Sequence, residues 1–376
     1  MGGIGIVTIL PVLAGTWAIE FGTASLAITF YMIPFVLVQL FSGAIAHLFD
    51  ARKTLLFGFL VYALGATLCG LSPSLWALLC SRAVQGVGAA FLTPIIMALI
   101  GEIVPPQHVG KAIGMLGVAY TVGVTLGPLI SGVIEVRYGW PWFFFFLSAI
   151  SLIAGTLYAA SSKAIRMEPG RGSNLPGILS LLKDTLYQPG VLFLSFSAFS
   201  FFVAYIGIMT FTAGFLKTEM ELPSDQIGAL ISVTGITGVM ISPVAGYLGD
   251  RMGRIRVFLA GSTAALLCIL CMVAVPFSYW PYLALFLLFG TGTATAWTSL
   301  NTLAVEIVPA FRKPVTSVYN AIKFGGYAFS PVILSPLYGP NRLRAVQWGC
   351  MGAILISGVL ALRSAAASRG TLTPET

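Results

Sequence analysis

The chain has 376 residues, of which 57% are hydrophobic and only 9% charged, and its mean hydropathy is +0.95. Soluble domains carry roughly a quarter charged residues, so this composition excludes a water-soluble globular protein and points to lipid as the solvent. The formal charge of +8 invites a nucleic-acid partner, but the placement of the basic residues, taken up below, excludes that too.

In lipid every backbone N–H and C=O pairs internally, and apolar runs this long exceed barrel strands, so the predicted class is all-α. At about 20 residues per crossing, spans are predicted near 2–14, 24–46, 54–72, 75–100, 112–134, 140–160, 190–216, 227–248, 257–277, 280–305, 315–338 and 346–362. The first is too short to cross alone. His47 and His108 fall between spans. Cys69, Cys80, Cys268, Cys271 and Cys350 lie within apolar runs, where they read as small packing residues. No metal, cofactor, disulfide framework or catalytic constellation is expected, and an enzyme is not.

Lysine and arginine placement sets the orientation. With the loop at 47–53 in the cytoplasm, Arg52, Lys53, Lys111, Lys163, Arg166, Arg171, Lys183, Arg251, Arg254, Arg256, Arg312, Lys313, Arg363 and Arg369 lie inside. Only Arg137, Lys217, Arg342 and Arg344 lie outside, while Arg82 and Lys323 fall within spans. Both ends are therefore expected in the cytoplasm, and the net charge faces anionic headgroups. Residues 161–189 form the longest interruption. They open basic and Gly/Pro-rich, and Leu175, Ile178, Leu179, Leu182 and Leu186 then recur at helical spacing. This stretch reads equally as a short helix on the membrane face or as a flexible linker.

The two halves repeat. GAIAHLFDARKTLLFG at 43–58 aligns with GYLGDRMGRIRVFLAG at 246–261, an offset of 203. LSPSLW at 71–76 aligns with VPFSYW at 275–280, and EIVP at 102–105 with EIVP at 306–309, both at 204; Gly127–Pro128 stands opposite Ser330–Pro331 at 203. The predicted organisation is a six-helix bundle over 1–160, a cytoplasmic linker over 161–189, a second bundle over 190–362 and a tail over 363–376. Such repeats build a binding site between the halves and work by rocking one against the other. The seventh span starts near 190, which projects to −13, so the first helix is expected to lack about a dozen residues of its partner and to be a half-helix with a start downstream of the ancestral one.

The loop GYLGDRMGRIR, with Gly246, Asp250, Arg251, Gly253, Arg254 and Arg256, resembles the signature after the second and eighth helices of major facilitator superfamily transporters. The resemblance implies a gate in which Asp and Arg form ion pairs that hold one conformation shut. The first-half copy departs from it: His47, Leu48, Asp50 and Ala51 stand where Asp, Arg, Gly and Arg are usual, and Asp50, Arg52 and Lys53 are the candidate substitutes. CSRAVQGVGAAF, with Arg82, Gln85, Gly86 and Gly88, is similar to the fourth-helix signature, which implies a role for Arg82 in proton coupling. An in-membrane arginine costs about 2.5–3.5 kcal/mol on insertion scales, so it faces protein or a watery cavity. GMLGVAYTVGVTLGPLISG, with Gly114, Gly123, Gly127, Pro128 and Gly132, resembles the antiporter signature of the drug:proton antiporter branch, with Ser131 where glycine is usual. Gly123 and Gly127 share a face that lets a neighbouring helix approach, and Pro128 adds a bend. Trp140–Pro–Trp142–Phe143 resembles the aromatic opening of the sixth helix.

Lys323 is the second buried charge, close to half depth, with Asn320 nearly one turn below. Gln39, Tyr31 and Tyr120 are further mid-span cavity candidates. No Asp or Glu lies deep inside a predicted span. Either a carboxylate belongs to the part of helix one that is lacking, or the cavity is electropositive and favours anionic or neutral solutes. The expected function is alternating-access transport of a small organic solute, as a proton-linked exporter. Organic-anion symport or exchange and a non-transporting sensor are the alternatives. The expected partners are the solute, protons and the bilayer, for a monomer in the cell membrane.

Overall fold

The computed structural model describes residues 1–48, 50–162, 183–308, 312–338 and 343–370. The first half holds α1 (Ile6–Thr16), α2 (Phe21–Leu48), α3 (Ala51–Gly70), α4 (Leu75–Ile103), α5 (Pro106–Tyr138) and α6 (Pro141–Ser161). The second holds α7 (Val191–Thr218), α8 (Ser224–Met252), α9 (Arg254–Ala274), α10 (Tyr279–Glu306), α11 (Arg312–Leu334) and α12 (Leu343–Gly370), with a 3-10 turn at Ser335–Leu337. Ten of these helices are long and apolar enough to cross a membrane by length and composition. The other two are α1, which is short, and α11, which spends positions on Ser317, Asn320 and Lys323.

Helix ends follow local chemistry. Ser74 caps α4 by accepting from the Ala77 N–H at 3.4 Å, and Asp50 caps α3 by accepting from the Arg52 N–H at 2.8 Å. Proline begins α5 and α6, where its missing N–H costs nothing. Gly253, at φ +91°, alone separates α8 from α9, a reversal that favours glycine.

Within each half the helices pack in matching pairs. α4 lies against α2 and α3, with α6 against α3; α10 lies against α8 and α9, with α12 against α9. Two seams join the halves, α2 with α11 and α5 with α8, and the repeat exchanges one for the other. Both seams close at the same end. At one, Thr29 Oγ1 donates to the Ala328 carbonyl at 2.7 Å and Gly22 faces Ser335. At the other, Ser232 Oγ accepts from the Leu129 N–H at 3.1 Å; a Cβ on Gly228 would overlap the Pro128 carbonyl, and one on Gly132 the Ser224 carbonyl. Toward the other end, which carries the α2–α3 and α8–α9 turns, Gly114, Gly117, Gly238 and Gly246 have open space where a Cβ would lie. The bundle is shut at one end and open at the other. Outward-facing apolar residues such as Leu60, Leu64, Ile153 and Leu157 are exposed on α3 and α6, as a lipid-facing wall requires.

Two boundaries differ most from the sequence expectation. α5 starts at Pro106 rather than 112, because the proline nucleates an earlier turn. α12 runs to Gly370, so residues 363–370 are helix, not tail; Ser364 Oγ ties this extension to the Gly190 carbonyl at 2.9 Å. α1 is short as expected, at 11 residues against 28 in α7. Leu175, Ile178, Leu179 and Leu182 lie outside the described residues, and 183–186 form a helical turn.

Candidate functional site

The centre of the molecule is built around Lys323. Its ammonium donates to Asn320 Oδ1 at 2.7 Å and to Asn301 Oδ1 at 3.3 Å, and Asn301 also accepts from the Tyr319 hydroxyl at 3.1 Å. Four rings surround Nζ: Phe324 at 4.7 Å from the centroid, Tyr319 at 5.2 Å, Trp297 at 5.6 Å and Phe202 at 5.7 Å. Lys323 is 4% exposed. A mid-depth charge costs about 2.5–3.5 kcal/mol on insertion scales. Two hydrogen bonds from a charged donor, at about 1.5–3 kcal/mol each, with ring faces adding to them, offset it. Amide oxygens and rings satisfy the ammonium without cancelling its charge, and among the described residues no carboxylate pairs with it.

Lys323 and Asn320 line a cavity of about 660 Å³ that opens toward the unclosed end, together with Gln39, Tyr120 and Met97. A deeper chamber of about 370 Å³ lies toward the closed end and includes Tyr31, Tyr62, Tyr205 and Tyr327. Phe35, Thr93, Tyr120, Trp297 and Phe324 belong to both, so they form a waist between vestibule and chamber. Phe35 and Phe324 meet there edge-on at 5.7 Å, across the two halves. The sequence candidates Lys323, Asn320, Gln39, Tyr31 and Tyr120 are thus brought to one continuous space.

Arg82 is not among the cavity-lining residues. It is fully buried, and its guanidinium lies 4.1 Å over the Tyr31 ring, behind the chamber wall. Nε donates to the Ala27 carbonyl at 3.1 Å, and Nη1 donates to Gly2 O at 3.1 Å and Gln85 Oε1 at 2.6 Å. It braces α4 to α2 and to the segment before α1.

The predicted gate residues form a cluster on one half. Arg254 pairs with Asp250 on α8 and, through Nη2 at 3.1 Å and Nε at 3.4 Å, with Glu306 on α10; its Nη1 donates to the Gly246 carbonyl at 2.8 Å. The bare Gly249 backbone leaves room for this fold-back. Arg251 instead lies 4.6 Å over the Tyr247 ring and is exposed. In this open state the cluster staples α8, α9 and α10 together rather than bridging the halves. Among the described side chains the first half shows no such cluster: Asp50 caps α3, and Arg52 donates to the Ala159 carbonyl on α6 at 3.1 Å. Because the Arg254 pairs are partly exposed, Glu306→Gln is expected to cost only about 1 kcal/mol, read as a small drop in thermal stability in detergent that high salt masks.

The fifth-helix glycines are placed differently from expectation. Gly114 touches nothing, and Gly123 and Gly127 admit the backbone at Met1 rather than a neighbouring helix, with a Cβ on Gly127 meeting Met1 O at 3.1 Å. The close helix approach lies one turn on, at Gly132. The Pro128 carbonyl accepts from Thr8 Oγ1 at 3.3 Å and Ser131 Oγ at 3.0 Å. Sequence reasoning missed Asn301, Trp297 and Glu306. An asparagine in an apolar span is a detectable signal, and Glu306 opens the repeated EIVP.

The profile of the Major Facilitator Superfamily matches residues 1–331. The chain is 26% identical over 335 residues to the uncharacterized MFS-type transporter YceJ of Bacillus subtilis, covering 88% of this chain and 84% of that protein. It is 25% identical over 295 residues to the riboflavin transporter RibZ of Clostridioides difficile, covering 66% and 65%. In fold it is similar to a bacterial homologue of the human lysosomal transporter Spinster, crystallised inward-facing and unoccupied, with a TM-score of 0.73, 16% identity and coverage of 99% and 95%. A paired six-helix architecture, a cavity between the halves and this match over most of its length identify the chain as a multi-pass membrane transporter of the Major Facilitator Superfamily.

Proposed function

We propose that the protein carries a small organic anion by alternating access, with Lys323, Asn320 and Asn301 holding the charged group and the waist aromatics holding its body. The observation that carries this reading is the uncompensated ammonium in the vestibule, against which no described carboxylate stands. An anion 4 Å from that charge gains about 4 kcal/mol at an effective dielectric of 20, and a cation loses as much. A lysine binds an anion in its protonated form, so anion and proton occupy the same state of the carrier. That physics favours organic-anion symport or exchange over export driven by proton entry.

Proton-linked efflux is the second reading. It is supported by the fifth-helix glycine pattern and by similarity to the multidrug resistance protein B homolog of Mycobacterium tuberculosis, 25% identical over 311 residues, 68% of this chain and 58% of that protein. In either case Arg82 steadies the coupling region, and Asp250, Arg251 and Arg254, with Gly246 and Gly253 shaping the turn, act at the inner gate. The basic loops at the open end support a cytoplasmic placement of that end in the cell membrane, for a chain that works as a monomer.

Counterflow of labelled 2-naphthoate in proteoliposomes tests the proposal. A carrier exchanges internal for external acid. Binding without exchange would instead indicate a sensor, and proton release on binding would favour the efflux reading.

A further inference from the structure

Resting on the anion reading, we propose that the deep chamber is a second polar subsite, with the Tyr327 hydroxyl as its recognition group. The substrate would then be an elongated aromatic acid with a hydrogen-bonding group at the end remote from its carboxylate. Tyr327 stands one turn beyond Lys323 on α11, about 6 Å farther along the axis toward the closed end. Its side chain lines the chamber and is only 8% exposed, and its hydroxyl, which shows under 1 Å² of surface to water in this state, has no hydrogen-bond partner among the described residues. Leaving a buried hydroxyl unpaired is costly, and here the cost falls at the wall of a cavity that a ligand can enter.

The surroundings favour a flat ligand between the two polar ends. Rings run in an unbroken series from Phe35 through Phe324 (5.7 Å) and Phe202 (6.2 Å) to Trp297 (4.9 Å) and Tyr205 (6.5 Å). Aromatic faces at such spacings prefer stacked or edge-on partners. At the far wall the Arg82 guanidinium lies over the Tyr31 ring and holds it in place. Among the chamber's described side chains the polar groups are mainly hydroxyls, with no ammonium, so their complement is neutral and polar, such as a phenol or carbonyl; the Met1 backbone also borders the space. Vestibule and chamber each fall within the size range of small-molecule sites.

The test compares 6-hydroxy-2-naphthoate with 2-naphthoate, by equilibrium dialysis against the purified full chain in detergent. The hydroxy acid is expected to bind about three- to tenfold more tightly, the worth of one neutral hydrogen bond. In Tyr327→Phe that ratio is expected to collapse to about one, while Lys323→Gln weakens both acids at least tenfold. If the ratio is one in the unmodified protein, or survives Tyr327→Phe, the polar subsite is overturned while the anion reading stands. If neither acid binds, or both bind equally well to Lys323→Gln, the anion reading falls and takes the subsite with it.

Discussion

Lys323→Gln is expected to slow counterflow of 2-naphthoate by about 100-fold. The substitution keeps most of the volume and can still meet Asn320 and Asn301, but it removes the one charge among the described residues that line the vestibule. A hydrogen bond from a charged donor contributes about 1.5–3 kcal/mol, which corresponds to roughly 10- to 150-fold in affinity. The control is 2-naphthalenemethanol, of nearly the same shape without the charge; its binding is expected to change by less than about threefold. Equal loss of both ligands would mean that Lys323 holds α10 and α11 together and takes no part in recognition. Unchanged counterflow of the acid would remove the lysine from the mechanism.

Much of this site could be read from the chain because charge in an apolar span is rare and expensive. Lys323 and Arg82 stand out on that ground, and Asn320 follows from helical spacing. What the spacing could not supply is which other helices turn toward them. Asn301 and Trp297 come from α10 and Phe202 from α7, and their convergence depends on how the bundle packs. The same limit explains why Arg82 and Lys323, alike as sequence features, differ in role: one is sealed behind Tyr31, the other faces open space. The repeat was legible because four landmarks share one register, and in the structure it relates the two seams between the halves. Helical spacing alone implies that Gly123 and Gly127 admit a helix, whereas α1 is short and the segment before it fills that groove. The end of α12 was missed because Arg363 and Arg369 read as tail residues, while the ties that keep the helix going are tertiary.

Gly228→Leu is expected to open the closed end and reduce transport at least tenfold. The Gly228 backbone packs directly on the Pro128 carbonyl, so a leucine cannot fit without parting α5 from α8. Overpacking of this kind costs about 1–3 kcal/mol, enough to shift a balanced two-state equilibrium by roughly 5- to 150-fold. The seam is shared by two helix pairs, so the effect must appear at the other pair as well. A cysteine in place of Thr29, which is buried and bonded to Ala328 across the α2–α11 seam, is expected to react with a membrane-impermeant thiol reagent at least tenfold faster in the Gly228→Leu background. Faster labelling at α5–α8 alone would indicate local damage and argue against the halves moving as bodies.

The asymmetry between the halves bears on how that motion is controlled. Among the described residues the staple of Arg254, Asp250 and Glu306 stands in the second half, where it ties α8, α9 and α10 together. In the first half the described ties are the capped α3, the Arg52 bond to Ala159 and, deeper in, the Arg82 brace. Rocking of two bodies about a shared aromatic waist needs each to be internally stiff, and these ties contribute to that stiffness.

The central claim is that these bodies exchange which end is open around the Lys323 cavity. Its most direct test is a pair of distance measurements between spin labels in reconstituted protein, made with and without saturating 2-naphthoate. One pair sits at Gly114 and Gly246, across the open end, and the other at Val136 and Gln226, across the closed end. Opposite changes are predicted: the first distance shortens as the second lengthens in the transporting population. If both distances stay fixed while labelled acid is being exchanged, or both move in the same direction, alternating access by this seam is contradicted.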